Sequence, residues 1–191
     1  SDTNVWFKSS GDGGATWSER KKLNDDTTNL DQYFPGVSVA PDGRVDVAWH
    51  DFRNDRYYQP AGDFNTELYW DAYLASSSDG GTTWTPNIRV SDRSMNKNEG
   101  YTLSSSYGLM GPIGVASTDT AAHVAWADSR RGSLQTPTED YYFTSVVYDA
   151  ATTASDDSGN QAAYFVLGAM VMLGVVGAVL LAVSRRLRAP A

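Results

Sequence analysis

The sequence contains no cysteine and only two histidines. Without cysteine the chain has no disulfide framework, no thiolate-bound zinc or iron–sulfur cluster and no thiol nucleophile. His50 and His123 are 73 residues apart, a spacing that does not suggest a shared metal site. We therefore expect neither a metal nor a cofactor. The motifs of a serine-hydrolase elbow, a zinc protease, a P-loop and a dinucleotide site are also missing.

Positive charge is scarce as well. The chain has 15 lysines and arginines against 23 acidic residues, and its last seven residues hold Arg185, Arg186 and Arg188. The part before them has 12 basic and 23 acidic residues, a net charge of −11. Nucleic acids are bound by basic surfaces, so we expect no nucleic-acid partner.

One long apolar run lies near the end of the chain. Residues 162–183 are 22 consecutive uncharged positions, 19 of them apolar, and a helix of that length spans about 33 Å, close to a hydrocarbon core of ~30 Å. We therefore predict a transmembrane helix over 162–184, with a basic cytoplasmic tail at 185–191. A polar linker at 149–161 then joins it to an outer domain at 1–148. This organisation predicts a single-pass protein of a bacterial plasma membrane that has the lipid bilayer as a partner; a buried core helix is the alternative.

The outer domain contains a repeated eight-residue box at 10–17 and 77–84. Both copies fit S-x-D-x-G-x-T-W, and their tryptophans are 67 residues apart. Asp and Ser can accept hydrogen bonds from a tight turn, Gly supplies positive φ, and Trp covers the turn. A calcium loop is the alternative, but each box has a single Asp. We assign a structural role to Ser10, Asp12, Gly14, Thr16, Trp17, Ser77, Asp79, Gly81, Thr83 and Trp84.

A second repeat alternates with the first. Residues 45–53 and 122–130 both end in W-x-D-x-R, with their tryptophans 77 residues apart. Strand signals surround both repeats. If the strands of a four-stranded unit are named A to D, the chain reads C-D, then A-B-C-D, then A-B-C. The predicted strands are 5–9, 21–23, 37–40, 45–49, 72–76, 88–90, 113–117, 121–126 and 141–148.

The two boxes resemble the Asp-box, or bacterial neuraminidase repeat, of sialidase-like β-propellers. The segment 107–130 also resembles a blade of bacterial sialidase-like proteins, and the likeness covers most of 1–148. It implies an all-β fold in which the box joins the third and fourth strands of a blade. A propeller has four to eight blades, whereas nine strands make about two. We therefore expect a partial β-propeller followed by the transmembrane helix, the C-terminal fragment of a longer precursor whose remaining blades are partners.

The same resemblance places the B–C and D–A loops on the ligand face of the propeller. The predicted loops are 50–67, 91–112 and 127–140, and the first is rich in charged and aromatic residues. Aromatic faces beside charged groups are typical of sugar binding; an ordinary surface loop is the alternative. The predicted ligand-binding residues are Arg53, Arg56, Tyr57, Tyr58, Trp70 and Tyr107.

Catalysis is less clearly indicated. A retaining sialidase of this family uses three arginines that clamp a carboxylate, a tyrosine nucleophile paired with Glu, and an Asp acid/base. The family's R-I-P motif is missing from this sequence. Arg53, Arg130 and Asp51 are catalytic candidates, yet both arginines occupy equivalent repeat positions. Such recurrence favours a strand-end Asp–Arg brace over a unique catalytic centre.

The prediction from sequence is thus a membrane-anchored, extracytoplasmic sialidase-like propeller that recognises glycans. The intact precursor could be an exo-glycosidase such as a sialidase, whereas this fragment alone is expected to be inactive. The alternative is a non-catalytic binding or structural propeller of the cell surface.

Overall fold

The computed structural model of the chain describes residues 3–56, 69–96, 111–133 and 140–148, together with the strand Phe165–Leu167. These residues form eleven strands in three antiparallel sheets. Sheet 1 pairs β1 with β2, sheet 2 has the order β3-β4-β5-β6 with β7 also paired to β5, and sheet 3 has the order β8-β9-β10-β11. The strands are β1 Trp6–Phe7, β2 Lys21–Lys22, β3 Gln32–Val39, β4 Val45–Asp51, β5 Tyr69–Ser77, β6 Ile88–Arg89, β7 Met95–Asn96, β8 Gly114–Thr118, β9 Ala121–Asp128, β10 Asp140–Val147 and β11 Phe165–Leu167.

The all-β part of the predicted fold class agrees with this architecture. Each of the nine predicted strands overlaps an observed strand, and consecutive strands pair as antiparallel neighbours within sheets 2 and 3. Two strands, β7 and β11, were not predicted. Sheet 3 therefore has a fourth strand where the sequence indicated only three.

The transmembrane helix in the predicted fold class is wrong. Residues Phe165–Leu167, inside the predicted span of 162–184, form β11 and pair with β10 in the register Ser145↔Leu167. Apolar aromatic and β-branched residues suit a strand as well as a membrane helix, and β10 offers a sheet edge with backbone groups to pair. None of the described residues forms a helix long and apolar enough to cross a bilayer. The rest of the predicted span, the linker 149–161 and the tail 185–191 lie outside the described residues.

Sheet 2 lies between the other two sheets and is covered on both faces. One face packs Val47 and Trp49 against Val5 and Leu23, which flank the strands of sheet 1. The opposite face contributes to a second apolar cluster that it shares with sheet 3. Successive side chains of a strand point to opposite faces, which explains why every residue of β4 is buried. The second cluster consists of Leu30, Ala48, Phe52, Trp70, Ala72, Leu74, Val90, Met95, Ile113, Ala122, Val124, Trp126 and Val146.

A buried ion pair at the start of β4 also links sheet 2 to sheet 3 through backbone hydrogen bonds. The guanidinium of Arg44 donates to the Asp46 carboxylate at 3.2 Å and to the carbonyl oxygens of Thr118 and Ala121 at 2.6 and 3.2 Å. Its Cζ atom lies 4.1 Å from the centre of the Tyr148 ring. Burial, followed by the charge of Asp46, raises the pKa of the Tyr148 hydroxyl.

The two boxes form the same turn at equivalent places, between β1 and β2 and between β5 and β6. Asp12 accepts hydrogen bonds from the Thr16 N–H and hydroxyl at 2.9 and 2.6 Å. Asp79 accepts those of Thr83 at 2.8 and 2.6 Å. In each box the serine hydroxyl accepts the N–H of the last glycine, Gly14 or Gly81, at 2.8 Å. The tryptophan Nε1–H donates to that glycine's carbonyl oxygen, so each turn is closed by its own residues.

Candidate functional site

The first W-x-D-x-R repeat forms a closed polar brace at the end of β4. Asp51 accepts hydrogen bonds from the indole N–H of Trp49 at 2.8 Å and from the backbone N–H of Arg53 at 2.8 Å. The Arg53 guanidinium donates to Asp51 at 2.8 Å and to Asp25 at 2.7 Å. Its Cζ atom lies 4.2 Å from the centre of the Tyr73 ring. The side chain of Arg53 is thus held by two strands of sheet 2 and by the segment that follows β2.

The second repeat builds the same brace at the end of β9. Asp128 accepts from Trp126 Nε1 at 3.2 Å and from the backbone N–H of Arg130 at 2.8 Å. The Arg130 guanidinium donates to Asp128 at 2.7 Å and to both carboxylate oxygens of Asp92, at 2.6 and 3.0 Å. Its Cζ atom lies over the Tyr142 ring, 3.7 Å from the ring centre. Each brace therefore connects a sheet to the sheet before it.

The three catalytic candidates, Asp51, Arg53 and Arg130, are all members of these two braces. Asp51 is fully buried, and Arg53 and Arg130 have only 12% and 14% of their side-chain surface exposed. Burial acts to lower the pKa of each arginine, but the hydrogen bonds that Arg53 and Arg130 donate to Asp51 and Asp128, together with the charges of these carboxylates, outweigh it and raise both pKa values. Guanidiniums with acidic partners on their edges and a tyrosine on their face have little capacity left for a substrate carboxylate.

The acidic partners Asp25 and Asp92 were not predicted from the sequence, although a signal for them exists. Each follows the tryptophan of its box by eight residues, so the two aspartates have the same 67-residue spacing as the boxes. A third repeat, of the form basic–apolar–amide or hydroxyl–Asp, covers 22–25 and 89–92. Its function becomes visible only in the structure, which brings each aspartate to an arginine of the next sheet.

A polar cleft of about 420 Å³ opens at the same end of sheet 2. We call it the β4–β6 cleft because the residues after β4 form one wall and the residues at the end of β6 form the other. Two of the predicted ligand-binding residues, Arg53 and Arg56, line it. The full lining is Arg53, Asn54, Asp55, Arg56, Arg89 and Ser94.

The cleft is organised by Asp71, a fully buried carboxylate at the start of β5. Its oxygens accept hydrogen bonds from Asn54 Nδ2 at 2.8 Å, from Arg89 at 2.7 Å and from the hydroxyl of Ser94 at 3.2 Å. Ser91 adds a fourth donor at 3.0 Å. A buried carboxylate with four donors holds its neighbours in fixed positions, so the cleft wall is preorganised. Neither Asp71 nor any of its four donors was predicted from the sequence as a site residue.

The predicted ligand-binding residues differ in their placement. Arg56 is exposed at the cleft. Trp70 is only 2% exposed and stacks on the imidazole of His50 at 3.9 Å between ring centres, so it belongs to the core and does not line the cleft. Tyr57, Tyr58 and Tyr107 lie outside the described residues. Burial lowers the pKa of His50 to about 3.

In the part of the chain that the structure describes, no group of three or more His, Asp or Glu side chains could hold a metal ion. No protein-family model and no curated protein sequence matches the chain.

Proposed function

We propose that this chain is a sialidase-like glycan-recognition module that binds sugars in the β4–β6 cleft. The observation that carries the proposal is the cleft itself, a polar opening of about 420 Å³ with guanidinium, amide, carboxylate and hydroxyl groups on its walls. A sugar presents hydroxyls that both donate and accept hydrogen bonds, and these side chains offer both kinds of partner.

Arg56 is the residue that we assign to ligand contact. The other two arginines of the cleft are engaged, Arg53 by Asp51 and Asp25 and Arg89 by Asp71. Arg56 is exposed, and no ion pair joins it to another described residue. An arginine with no acidic partner among the described residues suits a carboxylate or a sulfate on a sugar, because its planar fork binds such groups through two parallel hydrogen bonds.

The surroundings of the two repeated arginines favour glycan binding over glycan hydrolysis. Arg53 and Arg130 are bound to carboxylates of the chain itself, which supports a structural use of both. Hydrolysis by an intact precursor stays a prediction, and a fluorogenic sialoside assay with the full chain measures it separately.

The binding proposal is tested with the 191-residue chain on a glycan array, followed by titration with lactose and 3′-sialyllactose. We expect Arg56→Ala to weaken binding of 3′-sialyllactose by about tenfold, the value of one charge-assisted hydrogen bond, and to change lactose binding little. The control is Arg131→Ala, since Arg131, which follows β9 and lies 3.8 Å from the Asp140 carboxylate, has 66% of its side chain accessible. Absence of binding on the array and in both titrations contradicts the proposal.

A further inference from the structure

The face of sheet 1 that points away from sheet 2 carries a tryptophan among basic side chains. Val5 and Leu23 turn toward sheet 2. Their neighbours Trp6 and Lys22 form a cross-strand pair and therefore point to the opposite face. Arg20 lies over the Trp6 ring, with its Cζ atom 4.3 Å from the ring centre. Trp6 is nevertheless 46% exposed, and both basic side chains are exposed as well.

Lys8 extends this face past the end of β1. The Ser9 carbonyl oxygen accepts the Ser18 N–H at 2.8 Å, a hydrogen bond that continues the β1–β2 ladder beyond Lys8. Lys8 is exposed and follows Trp6 by two positions, so the two side chains share a face. We call the surface formed by Trp6, Lys8, Arg20 and Lys22 the basic face of sheet 1.

The corresponding face of sheet 2 is a packing surface with different residues. The 67-residue spacing of the boxes places Trp6 at the position of Tyr73 and Lys8 at that of Ala75. Tyr73 and Ala75 are covered by sheet 1 and are 7% and 0% exposed. A lysine covered in the same way would lose its hydration without a partner for its charge. The basic face therefore suits contact with water or with a charged ligand.

The cations of the basic face are not used by the described part of the chain. No ion pair among the described residues includes Lys8, Arg20 or Lys22. The charge of Lys22 acts on Asp26, but that carboxylate accepts a hydrogen bond from Asn24. The chain before its basic tail has a net charge of −11. A cluster of cations on so acidic a chain directs anions to one place.

The layout of the basic face favours a sugar polymer over a single small anion. Neighbouring strands are about 4.8 Å apart, and residues two positions apart on one strand are separated by about 7 Å. The cations are thus spread over the face, as the charges of a polyanion are spread along its length. Trp6 adds apolar ring surface, which suits the C–H faces of sugars. The Arg20 fork suits a carboxylate or a sulfate.

We propose that the basic face of sheet 1 binds an acidic polysaccharide. Lys8, Arg20 and Lys22 bind its carboxylate or sulfate groups, while Trp6 supports Arg20 and contacts the sugar. The basic face shares no residue with the β4–β6 cleft. It is therefore a second site, which goes beyond the proposed function and does not depend on it.

The test measures binding of labelled heparin and labelled polygalacturonate to the 191-residue chain by fluorescence anisotropy, with neutral dextran as a blank. We expect Lys8→Glu/Lys22→Glu to weaken binding by at least about tenfold. The matched control is Arg93→Glu/Arg131→Glu, which changes the net charge equally at two other exposed arginines and should have little effect. Trp6→Ala should weaken binding about threefold, because Arg20 loses its support. Binding should also weaken as salt rises, since exposed charges are screened.

Folding of the variants is checked by thermal unfolding. Both double variants change only exposed side chains, so their melting temperatures should stay within about 3 °C of the wild type. Lys8→Gln/Lys22→Gln removes the two charges without adding acidic ones, and it replaces the Glu variant if that variant is unfolded. We expect it to weaken binding of both polyanions by about fivefold.

Four results would overturn the inference. The first is that neither polyanion binds the wild type. The second is an equal loss in Arg93→Glu/Arg131→Glu, which would indicate attraction by overall charge. The third is a loss of polyanion binding in Arg56→Ala, which would assign the polymer to the β4–β6 cleft. The fourth is equally tight, Lys22-dependent binding to phosphatidylserine vesicles, which would make the basic face a membrane contact.

Discussion

The two Asp-box turns have the same internal hydrogen bonds but different surroundings. Their glycines have nearly the same φ angles, 72° and 93° in the first box and 71° and 93° in the second. Trp17 of the first box is 59% exposed. Trp84 of the second box is partly buried and meets Phe7 of sheet 1 edge-on, with 4.9 Å between ring centres.

This difference shows that the turn is a local structure whose contribution to stability depends on what packs over it. Every hydrogen bond that closes a box joins residues no more than four positions apart. Such bonds form in either environment. The apolar contact with Phe7, by contrast, exists only where sheet 1 covers the box of sheet 2. Paired substitutions in the two boxes can therefore separate local from tertiary contributions.

The largest difference is expected for alanine at the last glycine of each box, Gly14 or Gly81. A Cβ at Gly81 would overlap the ring of Phe7, whereas at Gly14 it would meet only Trp17, at 3.8 Å. Both substitutions incur the strain of positive φ, about 1–2 kcal/mol. Because Gly81→Ala also overpacks the site against Phe7, it should lower the free energy of unfolding by about 2–4 kcal/mol in total. Urea unfolding measures both values, and equal losses would contradict the comparison.

The second largest difference in stability is expected between alanine variants of the two box tryptophans. Trp84→Ala removes a ring that packs against Phe7 and should lower the free energy of unfolding by about 2–3 kcal/mol. Trp17→Ala removes a mostly exposed ring, and we expect less than about 1 kcal/mol. Chemical unfolding checks the difference. Phe7→Ala serves as a control, because in its background the effect of Trp84→Ala should approach that of Trp17→Ala.

Smaller and equal effects are expected for the threonines. Thr16→Val and Thr83→Val each remove the hydroxyl that donates to the box aspartate at 2.6 Å. Because this bond is local, each variant should lower the melting temperature by a similar amount, about 2 °C. Calorimetry of the two variants tests this. A clearly larger loss at Thr83 would mean that the cover by Phe7 also strengthens the hydrogen bonds.

The smallest expected effect is the loss of stability at low pH. The Thr16 and Thr83 hydroxyls are the main cause that lowers the pKa of Asp12 and of Asp79, the latter to about 2. Folding thus favours the ionised carboxylates, so their contribution to stability is present above about pH 4 and is lost as pH falls through the folded pKa. NMR titration should find both aspartates still ionised at about pH 3. If one of the two box aspartates titrated near its ordinary pKa, the hydrogen bonding of the two turns would not be equivalent.

Much of the fold could be predicted because its signals are local. The boxes, the Pro41-Asp42-Gly43 turn and the alternation around Trp49 each lie within a few residues, and they indicate strands and turns directly. Trp70 could not be placed, because its burial depends on β5 beginning at Tyr69 and on His50 lying beneath it. The apolar run at 162–183 was misread over Phe165–Leu167, since hydrophobicity does not distinguish a membrane helix from an edge strand when β10 supplies a pairing partner.

By itself, the sequence determined the turns and the order of the strands, because the interactions behind them join residues that are neighbours along the chain. Only the tertiary structure decided which tryptophan is covered, which arginine is occupied and where a cleft opens. Asp25 reaches Arg53 across 28 residues, and Asp92 reaches Arg130 across 38. The physical reason is that these partners meet only after whole sheets have packed together, and one-dimensional spacing does not encode that packing.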